Sequence, residues 1–183
     1  MCSSDLAEGL IARMRGRPPQ DMARVTVYAN SGQSLQALRE ALIWRGPLIL
    51  PRLRLIAGWV PEGAYLADVG TDHGYLPTWL RLQGKIQGAV ASDLRPGPLE
   101  RAKVTGSLYG TDNIEYRLCN GLAGIRPSEV DTVTIAGMGG ETILSILKAA
   151  PWTADGQHTL LLQPQSHEEM VRQYLAENGF AIT

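Results

Sequence analysis

From residue 64 onward the chain alternates short apolar runs with amphipathic ones, and nothing else constrains its fold as strongly. "AYLADV" (64–69), "QGAVASD" (87–93), "NIEYRLCNG" (113–121), "VDTVTIAG" (130–137) and "HTLLLQP" (158–164) read as five buried strands rich in β-branched and apolar residues. Between them, helices are expected over 75–83, over 99–110 ending at Gly110, and over 140–150, where Ile143, Ile146 and Leu147 share a face. A fourth is expected over 166–179, with Ser166 as N-cap and Glu169 three residues on. Strand alternating with helix predicts an α/β fold: a doubly wound, mostly parallel, Rossmann-like sheet. In such a sheet, ligands bind beyond the carboxyl ends of the strands, at the point where the winding reverses. The polar segments of this chain fall at those ends: 70–74, Asp93, 119–122, 136–140 and 163–165.

Composition narrows the class without naming a function. The 183 residues are 44% hydrophobic and 19% charged, as in an ordinary globular protein with one sizeable core. Cys2 and Cys119 form no metal-ligand pattern, so neither a disulfide framework nor a metal site is expected, and a reducing interior, the cytoplasm, is the expected compartment. No stretch approaches the roughly 18 apolar residues of a membrane span, because "LILPRLRLIAGWV" (48–60) is broken by Pro51, Arg52 and Arg54. No clean apolar run follows the first basic residues, so no signal peptide is expected. Net charge is −1, yet residues 1–60 carry a surplus of four positive charges and residues 61–183 a deficit of five.

Residues 1–50 stand outside the α/β pattern and are expected to form an extension. A turn is expected over 15–20, a strand over 24–30 and a helix over 34–46, with Leu35, Leu38 and Leu42 on one face. The opening "MCSSDL" matches the translation of a sequencing-adapter tail, GTG-TGC-TCT-TCC-GAT-CT, with GTG as initiator. Residues 1–6 are therefore expected to be artefactual and the chain a gene fragment. Different codons for Cys2 to Asp5 would sink that idea.

The segment "LADVGTDHGYLP" (66–77) has the shape of a nucleotide-binding turn with one glycine missing. A dinucleotide turn reads G-x-G-x-x-G and leaves a bare helix N-terminus for the pyrophosphate. Here Gly70 and Gly74 bracket Thr71, Asp72 and His73. A carboxylate at Asp72 repels phosphate and suits a cationic ligand, although an acid there also serves as a helix cap. Asp93 lies 25 residues beyond Asp68, at the end of the second strand, where a carboxylate can accept both hydroxyls of a ribose. S-adenosylmethionine meets these demands: it carries a sulfonium, an ammonium and a ribose, and no phosphate. Asp68 is placed either to hold that ammonium through a water or to orient the turn. His73 reads as a structural residue or pocket wall before it reads as a base.

Three further segments complete the candidate site. "CNGL" (119–122) offers an Asn side chain and backbone amides to an adenine edge, or is an ordinary Asn-Gly turn. "IAGMGGET" (135–142) carries three glycines, which suggests a flat group sliding in against the main chain. "LLQPQ" (161–165) presents Gln163 and Gln165 around a proline, as partners for a base edge or as a polar loop.

Together "LADVGTDHGYLP", "ASDLRPGPLERAK", "CNGL", "DTVTIAGMGGETILSIL" and "LLLQPQ" resemble the bacterial tRNA (adenine-22-N1)-methyltransferase family over about residues 51–183. The resemblance implies a class I, Rossmann-like methyltransferase domain that uses S-adenosylmethionine to methylate N1 of an adenine in tRNA. It implies cofactor contacts from Asp68, Gly70, Asp72, His73, Gly74, Asp93, Leu94, Asn120, Gly121, Ala136 and Gly137, and positioning of the target base by Met138, Gln163 and Gln165. The family usually reads "GDGL" where this chain has "CNGL", and "QPN" where it has "QPQ". The family's last strands and its C-terminal helical element are expected to lie beyond Thr183. Arg52, Arg54, Arg95 and Arg101 are candidate phosphate contacts. Competing expectations are a methyltransferase acting on a small molecule or protein, which the acidic charge of 61–183 favours, a nucleotide-binding or NAD-dependent protein, and a non-catalytic fragment with an open sheet edge. The oligomeric state is not legible.

Overall fold

Nine-residue helix α1 (Pro51–Trp59) leads into strand β1 (Ala64–Val69), and strands and α-helices then alternate except between β3 and β4, which are joined through a single 3-10 turn, Pro127–Glu129. This computed structural model describes Pro47 and residues 49–183. The turn expected at 15–20, the strand at 24–30, the helix at 34–46 and the segment 1–6 lie outside the described residues. After β1 come α2 (Tyr75–Leu82), β2 (Ile86–Asp93), α3 (Pro96–Tyr109), β3 (Ile114–Leu118), β4 (Thr132–Met138), α4 (Gly140–Ala149), β5 (Thr159–Pro164) and α5 (Glu168–Glu177).

The five strands form one sheet in the order β3-β2-β1-β4-β5, and every pairing is parallel. The doubly wound α/β expectation is met. From β1 the chain winds outward one way through β2 and β3, then crosses back to β4 and β5. The reversal places a crevice beyond the carboxyl ends of β1 and β4.

Side chains alternate across the sheet and build two cores. On one face Ala67, Val69, Val133 and Ile135 pack with Ile143 and Leu147 of α4 and Val171 of α5. On the other, Leu66 and Ile86 pack with Leu76 and Leu80 of α2 and Ile56 and Ala57 of α1. Burying a Leu or Ile completely contributes roughly 1.5–3 kcal/mol, so these layers fix the strand ends that carry the polar segments.

The element boundaries depart from expectation in four places. Helix α1 arises from the apolar run broken by Pro51, because proline is accepted in the first turn, where no N–H partner is needed. The same reason starts α3 at Pro96 rather than 99, since both Pro96 and Pro98 fall in its first turn. Strand β3 stops at Leu118, three residues early, and Asn120 to Ala123 turn instead, with the Asn120 carbonyl accepting the Ala123 N–H at 3.0 Å. The Ser166 cap does not form. The Ser166 carbonyl accepts the Gly140 N–H at 2.8 Å, and His167, with a left-handed φ of 53°, stands at the start of α5. Nothing regular follows Phe180.

Candidate functional site

The turn after β1 is tied directly to the end of β2. Gly70 and Thr71 both donate their N–H groups to the Ser92 carbonyl at 2.9 Å. The Asp93 carboxylate accepts the Arg95 N–H at 3.0 Å and the Asp72 N–H at 3.4 Å. Two backbone donors thus orient a buried carboxylate at the mouth of the sheet. A carboxylate offers about four acceptor sites, so acceptor capacity remains for hydroxyl groups of a ligand.

Asp68 lies below this turn, buried, with its Oδ2 accepting the Thr71 hydroxyl at 2.7 Å. Burial pushes its pKa up to about 6. The Thr71 hydrogen bond and the charge of Arg52 oppose that rise, and the nearby Asp93 charge adds to it.

A crevice of about 360 Å³ opens at the switch point. Of the expected cofactor residues, Gly70, Asp72, Asp93, Leu94, Asn120, Gly121, Ala136 and Gly137 line it, and so does Met138. Asp68, His73, Gly74, Gln163 and Gln165 are not part of the lining. His73 stacks on Tyr75, with ring centroids 5.1 Å apart. Gly74 serves helix packing: a Cβ there would lie 2.9 Å from that of Ala102 on α3. Gln163 donates to the carbonyl of its neighbour Pro164 at 3.0 Å, and Gln165 donates its backbone N–H to the Met138 carbonyl at 2.8 Å. A larger hollow of about 490 Å³ sits towards the amino ends of β1 to β3, among Tyr65, Gly88 and Glu115. It contains none of the strand-end segments.

Two details revise how the turns are read. The Asp72 carboxylate does not stand free for a cationic ligand. It pairs with Arg101 of α3 at 3.2 Å, in a solvent-exposed ion pair. The glycines of 137–140 also divide by role. A Cβ on Gly140 would lie 2.6 Å from the His167 carbonyl oxygen and 2.7 Å from that of Ser166. Gly140 therefore serves a main-chain contact with the loop after β5, not a ligand. Gly137 does face the crevice. Gly70 holds a left-handed φ of 72°, with the terminal methyl of the flexible Met138 side chain lying over it. The backbone conformation is what strains any larger residue there.

Sequence reasoning missed Val69, Ser92, Thr142 and Ile146 as lining residues, named Cys119 only as part of the 119–122 segment, and placed Arg52 and Arg95 only as phosphate contacts. The signal for Arg52 lay in α1, whose helical character the prolines hid. No group of three or more His, Cys, Asp or Glu side chains suited to a metal exists among the described residues. No helix among them is long and apolar enough to cross a membrane.

Comparison with known proteins agrees with this geometry. A family model described as a methyltransferase domain matches residues 49–183. The tRNA (adenine(22)-N(1))-methyltransferase of Bacillus subtilis is 39% identical over 132 residues, which are 72% of this chain and 56% of that protein. The crystal structure of the B. subtilis m1A22 tRNA methyltransferase TrmK superposes with a TM-score of 0.66 at 38% identity, covering 71% of this chain and 56% of that one. Streptococcus pneumoniae Sp1610, solved in complex with S-adenosyl-L-methionine, gives a TM-score of 0.70 at 39% identity, covering 74% of this chain and 64% of that one. The chain spans little more than half the length of the curated relatives it matches.

Proposed function

Because the chain belongs to the methyltransferase-domain family, we propose that its switch-point crevice binds S-adenosylmethionine and that the protein methylates N1 of adenine 22 in tRNA. The observation that carries this reading is Asp93. A buried carboxylate, oriented by two backbone N–H groups, stands at the end of β2 beside a crevice floored by glycine. That acceptor suits the hydroxyl groups of a ribose. With Asp72 paired to Arg101, preference for a cationic group rests on the acidic side chains near the turn, Asp68, Asp72 and Asp93.

When bound, the cofactor supplies an electrophilic methyl group on its sulfonium. Asp93 accepts hydroxyl hydrogens of the ribose and so sets where the sulfur lies along the crevice. Asn120 and Gly121 border the end that would hold the adenosine, and Gly70 and Gly137 allow close approach at the other end. Met138, packed over Gly70, forms an apolar wall at the mouth. Adenine N1 has its own lone pair, so the site needs to align and desolvate it, not to deprotonate it. Alignment of this kind is worth up to roughly 7–11 kcal/mol. That matches the described lining, which offers no histidine, lysine or tyrosine as a base. The target adenine must be unpaired or turned out of the fold to present N1. Gln163 and Gln165, at the end of β5 beside Met138, are the groups proposed to steady it. A cytoplasmic setting follows from such a substrate.

Methylation of tRNA transcripts with adenine or guanine at position 22 tests the proposal. We expect 1-methyladenosine to form only on the first transcript. Equal incorporation into both would overturn the site specificity, and methylation of small molecules alone would favour the small-substrate reading.

A further inference from the structure

We infer that the outer edge of β3 is an interface: it pairs antiparallel with β3 of a second copy of this chain, about a two-fold axis at Tyr116.

The ladder with β2 dictates which groups of β3 point outward. Ala89 donates its N–H to the Asn113 carbonyl at 2.9 Å, and Cys119 donates its N–H to the Asp93 carbonyl at 3.0 Å. Ala89 and Asp93 are the register partners of Ile114 and Leu118. In a parallel ladder such a residue bonds to the neighbours on either side of its partner. Asn113, Glu115, Arg117 and Cys119 therefore turn their main-chain groups towards β2. Ile114, Tyr116 and Leu118 turn theirs away from it, where β3 is the first strand of the sheet. Among the described residues no backbone group bonds to them on that side. Such a row of N–H and C=O groups is a template for another strand.

Self-pairing needs a strand complementary to its own reverse, and Ile-Glu-Tyr-Arg-Leu (114–118) is one. An antiparallel match centred on Tyr116 sets Ile114 opposite Leu118 of the partner subunit, and Glu115 opposite Arg117 of the partner subunit. The outward groups of 114, 116 and 118 then make the hydrogen-bonded pairs. Glu115 and Arg117 fall at the non-hydrogen-bonded pairs, where facing side chains come closest.

Charges on an edge strand commonly keep a second edge away. Here they are opposite in sign and two residues apart, the spacing that a two-fold axis brings into register. Arg117 lies 2.6 Å from Glu115 and 2.9 Å from Glu129, and Arg126 lies 2.7 Å from Glu129. Two acids and two bases leave this cluster neutral, so two copies meet without net repulsion. The Glu115 side chain is 63% exposed, and the hollow of about 490 Å³ leaves the sheet open beside it. Leu118 is 55% exposed, apolar surface that the pairing covers. The opposite edge, β5, reads Thr-Leu-Leu-Leu-Gln-Pro and has no charge to set a register.

Sedimentation equilibrium of the full chain tests the interface. Between about 10 and 500 µM, where a contact one strand wide should associate, the mass should rise from that of one chain towards that of two. Glu115→Lys sets cation against cation at both charged pairs and should weaken the dimer at least about 10-fold. Leu118→Pro removes an outward N–H without touching the ladder to β2 and should weaken it as much. Thr159→Lys, on the β5 edge, should leave it unchanged. Both β3 sites are exposed, so both variants should melt with the native chain, and if one does not, the other decides. A native chain that keeps the mass of one chain throughout overturns the interface. So does a folded β3 variant that associates as tightly as the native chain, and so does a dimer that only Thr159→Lys dissolves.

Discussion

The Asp72 carboxylate lies 3.2 Å from the Arg101 guanidinium, bridging the turn after β1 to helix α3. The pair is 59% and 51% exposed, so its contribution to stability is about 0–1 kcal/mol. Asp72 holds a left-handed φ of 51°, which asparagine also tolerates. Asp72→Asn should therefore shift the melting temperature little and weaken S-adenosylmethionine binding only a few-fold. A loss as large as that at Asp93 would mean that Asp72, and not Asp93, dominates ligand recognition.

Asp93 should be the most sensitive position in the crevice. Asp93→Ala removes acceptors that serve both the turn and the ligand, and Asp93→Asn keeps the shape and removes the charge. Each should reduce cofactor affinity by at least about 10-fold, given roughly 1.5–3 kcal/mol per charged hydrogen bond. Gln165→Ala, outside the lining, should stay within about twofold. Equal affinities for the Asp93 and Gln165 variants in the same titration would contradict the site map.

Asp68 should make both stability and cofactor affinity depend on pH. Its folded pKa of about 6 lies above the ordinary carboxylate value of 3.8. The folded state thus holds a proton that the unfolded state releases between those values. Stability should fall as pH rises from about 4 to 6 and stay flat in this contribution above that. Affinity for the cationic amino-acid end of the ligand should rise over the upper part of the same window, as Asp68 ionises. Asp68→Asn should abolish the rise without lowering the melting temperature at pH 7.5. A binding profile between pH 5 and 7 with the same slope in both proteins would exclude Asp68 as the group responsible.

His158 supplies a separate pH signature, in stability alone. Its Nδ1 faces Asp155 Oδ1 at 2.8 Å and its Nε2 faces the Pro127 carbonyl at 3.1 Å. Two acceptors call for two N–H donors, hence the cationic ring. Burial opposes that charge, but the hydrogen bonds to Asp155 and to the Pro127 and Val130 carbonyls, with the carboxylate's charge, hold the pKa above 6.5. A raised folded pKa gives stability that is complete below about 6.5 and is lost as pH climbs through the folded value. The melting-temperature advantage of the native chain over His158→Gln should therefore shrink between pH 6 and 8. An advantage that grew over that interval would reverse the assignment.

Gly140 and Gly58 should respond oppositely to alanine. At Gly140 a Cβ meets two carbonyl oxygens, so overpacking should cost about 1–3 kcal/mol in chemical denaturation. At Gly58, in α1, a Cβ meets nothing within 4 Å, and alanine should add about 0.5–1 kcal/mol. Neutral behaviour at Gly140 would mean that the loop after β5 yields to α4.

The sheet was legible because its signal is periodic and repeated. Five apolar runs ending in polar segments admit few arrangements, and the crevice follows from the topology. Asp93 was legible for the same reason, since a strand end fixes its place. Helix α1 was not, because Pro51 looks like a breaker until it is seen in a first turn. Nor was the role of Gly140, which depends on a main-chain contact with Ser166 and His167 more than 25 residues away. The Asp72–Arg101 pair spans 29 residues and two elements, and no local pattern announces it.

Titration of the chain with S-adenosylmethionine tests the central claim most directly, with Asp93→Asn measured alongside. Saturable one-to-one binding to the native chain, weakened at least about 10-fold in the variant, is the expected result. Absence of binding to the native chain, or equal binding to both, would contradict the assignment of the crevice.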